Sequence, residues 1–435
     1  MAGVSTPLDA DRAASIVAAL RATRERTEEL AAPLAPEDQV VQSMPDVSPT
    51  KWHRAHTTWF FETFVLQPHL PGYQPVHPAY GYLFNSYYEQ VGERHPRPER
   101  GLISRPTCEE VAEYRAAVDR SLDELVERAD DETLAAVVPL LELGTHHEQQ
   151  HQELLLMDIK HVFSRNPLRP AYRLGTTTTS RPDPVTASWI DVEPQRISSV
   201  GHDGDGFAFD NEGPRHRVWL EPFALATRPV TCGEFLHFIE DDGYRRPELW
   251  LSEGWAAVQA EGWSAPSYWD RDGDGWTVFT LGGTRPLHES TPVAHVSFFE
   301  ADAFARWAGS RLPTEEEWEV AATLVGAGDA PNDLAAGRFH PRPQEAGIAP
   351  RATGGAAQML GDVWEWTASA YRPYPRFVPP PGAIGEYNGK FMSGQMVLRG
   401  GACITPNGHT RPTYRNFFPP ASRWAFSGVR LARDV

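Results

Sequence analysis

Residues Thr145–Leu156 read THHEQQHQELLL, and the fold turns on how this stretch is taken. His147 and His151 stand four apart, with Glu148 beside the first, in a segment whose apolar spacing predicts a helix over Thr133–Phe163. Side chains four apart share one face of a helix, so the two imidazoles project together and can hold one cation.

What completes the site decides the chemistry. A zinc hydrolase needs Glu148 as base and a third ligand downstream. The continuation QELLLMDIKH lacks the glycine that the longer zinc motif requires, and His161, ten residues past His151, sits in ordinary bundle-helix sequence. A better third ligand lies upstream in KWHRAHTTWFFETF (Lys51–Phe64). His56 falls beside Ala55, Trp59 and Phe60 on the apolar face of a predicted helix, with His53 as its rival. Three neutral imidazoles suit iron, copper, nickel or zinc and leave coordination positions open for substrates.

Working outward, Asp11–Arg26 also has helical spacing, with Asp9 or Asp11 as cap. Ser48-Pro49 opens the helix whose apolar face is Trp52, Ala55, Trp59, Phe60 and Phe64, and Cys108–Ala129 supplies another. Four long amphipathic helices predict an antiparallel bundle over residues 1–168, a setting in which metal sites form from inward-facing side chains. The stretch Ser164–Trp189 is rich in Pro, Thr and Ser, which places a linker at 169–190. Residues 191–435 are Gly-, Pro- and Trp-rich, with short apolar runs at Arg217–Leu220 and Met396–Leu398. They predict an irregular α+β domain with two clear helices, near Thr231–Ile239 and Phe298–Ala308, and a long surface loop over Gly326–Pro350.

Composition sets limits on partners. The formal charge of −18 over 435 residues disfavours nucleic acid, which needs clustered Lys and Arg. No window approaches 18 uninterrupted apolar residues, so no membrane span is expected. The start has no basic region before a long apolar run and does not read as a secretory signal. Cys108, Cys232 and Cys403 lie far apart, which fits a reducing cytoplasm rather than a disulfide scaffold.

Four later motifs sharpen the reading: SRLPTEEEWEVAA (Ser310–Ala322), GDVWEWTAS (Gly361–Ser369), VLRGGACITP (Val397–Pro406) and FSGVRLAR (Phe426–Arg433). This series resembles the formylglycine-generating-enzyme, or sulfatase-modifying-factor, fold. The earlier part, with WHRAH and HHEQQH, resembles a DinB-like four-helix bundle. Their fusion in this order resembles the ergothioneine-biosynthesis sulfoxide synthases from about residue 15 onward. Formylglycine generators carry a cysteine pair after the RGG motif; here Thr405 and Thr410 fall near those positions and Cys403 stands alone. Ovothiol synthases append a methyltransferase domain, whereas this sequence reaches Val435 without one, so hercynine is expected as acceptor rather than histidine.

The resemblance implies Fe(II) held by His56, His147 and His151, with dioxygen as co-substrate. The reaction it implies joins a cysteine sulfur to the imidazole carbon of hercynine and oxidises the sulfur to a sulfoxide. Tyr88, then Tyr87, are implied as the proton donor, with Tyr387 a distant third. Arg97 and Arg100 match an R-x-x-R that grips substrate carboxylates, and Arg94 or Arg105 could substitute. Gln150, Asn416 and Phe417 are implied contacts of hercynine, the ring of Phe417 facing its trimethylammonium. Members that accept γ-glutamylcysteine carry an acid two residues after the asparagine; Phe418 stands there and cannot pair an ammonium. Free cysteine is therefore the expected donor, with γ-glutamylcysteine second. Two alternatives from other classes are a non-catalytic ligand-binding protein of the same fold and the zinc hydrolase.

Overall fold

A computed structural model describes residues 10–175, 186–204, 206–273, 275–324, 331–344 and 355–435. The chain divides into two compact units, one of residues 1–165 with 382–386, the other of 166–381 with 387–435.

The first unit is built from α1 (Ala10–Ala31), α2 (Thr50–Phe61), the short α3 (Gln67–His69) and α4 (Tyr80–Phe84), then α5 (Cys108–Arg128) and α6 (Asp131–Arg165). Helix α1 runs past the expected Arg26 because Thr27–Ala31 adds good helix formers before Pro33. Asp11 lies in its first turn, and Asp9 falls outside the described residues. A full capping box starts α5, where Thr107 accepts from the Glu110 backbone N–H and Glu110 from that of Thr107.

Helix α2 is the centre of this unit. Every residue from Thr50 to Phe61 is buried, polar ones included, because α2 packs against both α5 and α6. Buried polar groups must find partners, and these do. Lys51 donates from Nζ to the carbonyls of Ile103 and Pro106 at 2.7 Å each, and Arg54 donates to Gln39 at 3.0 Å and to Glu28. A π-helical turn, Glu62–Leu66, follows and carries Phe64.

Gly144 sets how near α6 comes to α2. A Cβ at this position would meet Phe61 Cε1 at 2.3 Å and Phe60 Cε1 at 3.0 Å. Only a hydrogen fits, three residues before His147.

The second unit holds twelve short strands and four helices among the described residues. The strands are β1 (Trp189–Val192), β2 (Ile197–Val200), β3 (His216–Trp219), β4 (Phe223–Ala226), β5 (Trp269–Asp272), β6 (Gly275–Thr280), β7 (Gly283–Pro286), β8 (Trp364–Ala370), β9 (Met396–Arg399), β10 (Asn416–Phe418), β11 (Ser427–Gly428) and β12 (Ala432–Asp434). They form small sheets ordered β1-β4-β12, β10-β9-β8-β11, β2-β3 and β5-β6-β7. All pairings are antiparallel except β11 with β8.

Helices α7 (Cys232–Glu240) and α9 (Phe298–Trp307) stand near the two expected positions, and α8 (Ser252–Glu261) and α10 (Glu315–Leu324) were not anticipated. The signal for α10 was present in PTEEE. Thr314 accepts from the Glu317 backbone N–H at 3.1 Å and donates its own N–H to that carboxylate at 2.8 Å. Helix α8 has no side-chain cap at its start and ends at Gly262 in the left-handed region. Residues 326–330 and 345–350 of the expected loop lie outside the described residues. Between them, Leu334 and Phe339 are buried, so this part of the chain carries core residues. Tyr172, read from sequence as linker, is buried with its ring 5.7 Å from that of Phe339, and Trp189 already pairs in β1.

Candidate metal centre

Helix α6 turns His147 and His151 toward α2, which contributes His56. The ligating nitrogens of these three lie within 4.8 Å of one another, the only such group among the described residues. Nε2 of His56 stands 3.2 Å from Nε2 of His147. Two imidazole nitrogens bound to one first-row cation at about 2.1 Å stand about 3 Å apart at a right angle, so the pair suits a shared cation. The Nδ1–H of His56 donates to the Phe84 carbonyl at 2.6 Å, which leaves its lone pair on Nε2. The His56 ring lies nearly parallel to Trp52 and Trp59, at 4.6 and 5.5 Å, and Phe60 packs 4.7 Å from His147.

The electrostatics favour bare imidazoles. Burial, then the neighbouring His147, pushes His56 well below the usual histidine range. Burial takes His147 down to about 3. His151 is lowered by burial and then by His147 and His56. All three are neutral at pH 7, the form in which a histidine binds a metal.

Glu148 points elsewhere. Its carboxylate is wholly buried and accepts from Arg24 at 3.0 Å and Arg115 at 2.7 Å. Burial alone would raise its pKa, but Arg115 and Arg24 outweigh it and hold the group at about 2. A carboxylate so committed is a poor base, which removes the zinc-hydrolase alternative. His53, the rival ligand, instead stands behind His151, with Nδ1 2.8 Å from Nδ1 of that residue. His161 sits apart, its Nδ1 2.6 Å from the Ser43 hydroxyl.

With three imidazoles on a helical bundle and an irregular α+β unit after it, comparison with known proteins becomes specific. Residues 19–161 match the DinB superfamily, and residues 195–435 the sulfatase-modifying factor enzyme 1-like domain. Over 423 residues the chain is 36% identical to the hercynine oxygenase of Mycolicibacterium thermoresistibile, covering 90% of this chain and 88% of that one. It is 34% identical over 417 residues to the hercynine oxygenase of Mycobacterium tuberculosis, covering 90% and 92%. The chain belongs to the hercynine oxygenase family. More distantly, the chain is 28% identical over 301 residues to the formylglycine-generating enzyme of Thermomonospora curvata, covering 58% of this chain and 95% of that one. The two-part fold expected from the motifs, a DinB-like bundle and a formylglycine-generating-enzyme-like α+β domain, is the fold of this hercynine oxygenase relative.

Around the imidazoles, the first unit gathers several of the residues singled out in the sequence. Arg100 is 3% exposed, and its guanidinium lies 3.4 Å from the ring centroid of Trp52, which in turn stacks on His56. It donates to the hydroxyls of Ser48 at 2.9 Å and Ser86 at 3.3 Å, while its Nε has no partner. Burial and then Arg97 push its pKa well below the usual arginine range. Arg97 itself is exposed and donates to the Asp46 carbonyl. Arg94 pairs with Glu89, and Arg105 donates to the Ser104 carbonyl at 2.9 Å. Tyr88 is wholly buried, with Tyr87 stacked on it at 4.6 Å, and packs on Trp59 at 5.6 Å and Phe64 at 5.1 Å. Asn85 holds the loop that carries Tyr88, accepting from its backbone N–H and donating to its carbonyl, each at 3.0 Å. Gln150 is half-buried on α6.

In the second unit, Asn416, Phe417 and Phe418 form β10 on the edge of its sheet. Asn416 accepts from the Phe417 backbone N–H at 2.8 Å, Phe417 stacks on Tyr371 at 4.0 Å, and Phe418 meets Trp424 edge-on at 5.4 Å. Tyr387 is buried and stacks on Phe209 at 5.6 Å. Sequence reasoning missed Asp158, Gly144 and the Arg24–Arg115 clamp. Asp158 lies seven residues past His151, two helical turns along the same face, which was the available signal.

Proposed function

We propose that this chain is an Fe(II)- and dioxygen-dependent sulfoxide synthase acting on hercynine and a cysteine thiol, and that it works in a reducing cytoplasm. The observation that carries this reading is the set of three neutral imidazoles, His56 and His147 buried and His151 half-buried, in a member of the hercynine oxygenase family. Overall, the thiol S–H and the imidazole C–H are lost, a C–S bond forms, one oxygen atom goes to sulfur and the other leaves as water. The four electrons released reduce one dioxygen completely. When bound to His56, His147 and His151, iron would supply the redox centre and a common meeting point for the reactants.

The chain's own residues bind and orient. Arg100, buried without a carboxylate and with an idle Nε donor, is assigned a substrate carboxylate, and exposed Arg97 assists at the entrance. Tyr88 is assigned the delivery of a proton, since it is the buried phenol packed beside Trp59 next to His56; Tyr87 supports it. Gln150, Asn416 and Phe417 are assigned to hercynine, Phe417 offering a ring face to the trimethylammonium. Phe418, half-buried and apolar, favours free cysteine over γ-glutamylcysteine.

The test is anaerobic Fe(II) reconstitution, then assay in air with hercynine plus either thiol, products identified by mass. A hercynylcysteine sulfoxide from free cysteine is the expected product. Faster turnover with γ-glutamylcysteine would reverse the donor assignment, and no sulfoxide from either thiol would defeat the reading.

A further inference from the structure

The imidazoles of His56 and His151 are oriented by two different devices. The backbone carbonyl of Phe84 holds His56, and the other device is built from side chains. Asp158 Oδ2 lies 2.9 Å from His53 Nε2, and His53 Nδ1 lies 2.8 Å from His151 Nδ1. His53 and Asp158 are each 3% exposed. Asp158 is anchored in turn, accepting the Ser48 backbone N–H at 2.7 Å just before α2 begins.

We propose that Asp158 and His53 form a positioning chain that fixes the tautomer and ring orientation of His151, an inference that rests on the ligand set of the proposed function. A carboxylate only accepts, so Nε2 of His53 carries the hydrogen. A neutral imidazole that donates from Nε2 has its lone pair on Nδ1. That lone pair accepts from His151 Nδ1–H and leaves the His151 lone pair on Nε2, for a cation. Both histidines of α2 therefore serve the centre, His56 directly and His53 through His151. The spacing explains why both ends meet: α2 offers residues three apart on one face, and α6 offers His147, His151 and Asp158 along its facing side. Partners of this kind behind a metal-bound histidine are worth about 10–100-fold in metal affinity.

The first readout needs no metal. In the full-length, metal-free protein, ¹⁵N NMR of the imidazoles, assigned by comparison with His151→Gln, should report the Nδ1–H tautomer for His151. An Nε2–H tautomer, or rapid averaging, overturns the proposal. The second readout is Co(II) affinity, followed by its absorption spectrum, in wild type, His53→Phe and His53→Gln, with metal-free melting curves alongside. His53→Phe should bind about 10–100-fold more weakly, while His53→Gln, whose carbonyl can accept from His151, should recover to within about threefold. Equal binding by wild type and His53→Phe overturns the chain alone. Failure of wild type to bind any cation overturns the ligand set beneath it. Should His53→Phe not fold, the NMR result on wild type decides by itself.

Discussion

Replacing Gly144 by alanine sets two principles against each other with opposite signs. An α-helix interior gains about 1 kcal/mol when glycine becomes alanine, because glycine loses more backbone freedom on folding. At this position, however, the new methyl would sit 2.3 Å from Phe61 Cε1, 2.7 Å from its Cζ and 3.0 Å from Phe60 Cε1. Both rings are wholly buried and cannot swing into solvent. Ordinary contact requires α6 to retreat by about 1 Å, and overpacking of this kind costs about 1–3 kcal/mol. The net expectation is a loss of about 1–2 kcal/mol. The same retreat moves His147, one turn on, relative to His56, whose nitrogens now stand 3.2 Å apart. Metal sites tolerate only about 0.5 Å of misplacement, so cation affinity should fall at least about tenfold. Urea unfolding of the metal-free protein, followed by circular dichroism, measures the first effect and Co(II) titration the second. A variant more stable than wild type by about 1 kcal/mol, with unchanged affinity, would show that α6 does not lie against α2 as described.

Three further expectations are independent of that one. Glu148→Gln should destabilise the fold by about 3–5 kcal/mol, because it leaves Arg24 and Arg115 buried without their shared anion; a stable but inactive variant would instead restore Glu148 as a base. Stability of the metal-free protein should fall with acid. The folded pKa values of His56, His147 and His151 are depressed, so below pH 6.5 the unfolded chain takes up protons that the folded one refuses. Each imidazole then removes about 1.4 kcal/mol per pH unit until its folded value, about 3 for His147, is reached; equal unfolding midpoints at pH 6.5 and 5.5 would contradict this. Tyr88→Phe should lower the yield of sulfoxide by tenfold or more while leaving hercynine affinity within about threefold, measured by product mass and by titration; loss of binding instead would make Tyr88 a substrate contact.

Much of the centre was legible because helical spacing is rigid. The four-residue step from His147 to His151 fixes a shared face whatever the rest of the chain does. The upstream partner was narrowed to two candidates by periodicity alone, and the family resemblance settled on His56. Choosing between His53 and His56 required the rotation of α2, which depends on tertiary contacts, since every residue of that helix is buried and no polar face marks its outside. Glu148 shows the same limit in reverse: the motif draws the eye to it, yet its partners lie 124 and 33 residues away in sequence. Arg100 was found by a motif, but its burial against Trp52 could not be inferred from a loop rich in exposed Arg and Glu. In the second unit, strands of two to seven residues carry too little periodicity to be read singly, and α10 was missed although its capping box was written in PTEEE.

The central claim, that imidazoles from two separate helices hold one ferrous ion, is tested most directly by anaerobic Fe(II) titration of wild type and His56→Ala. The account predicts one tightly bound iron per chain in wild type and a loss of at least about a hundredfold in affinity when the α2 histidine is removed, with the metal-free fold intact by circular dichroism. Unchanged one-to-one binding by His56→Ala would contradict it.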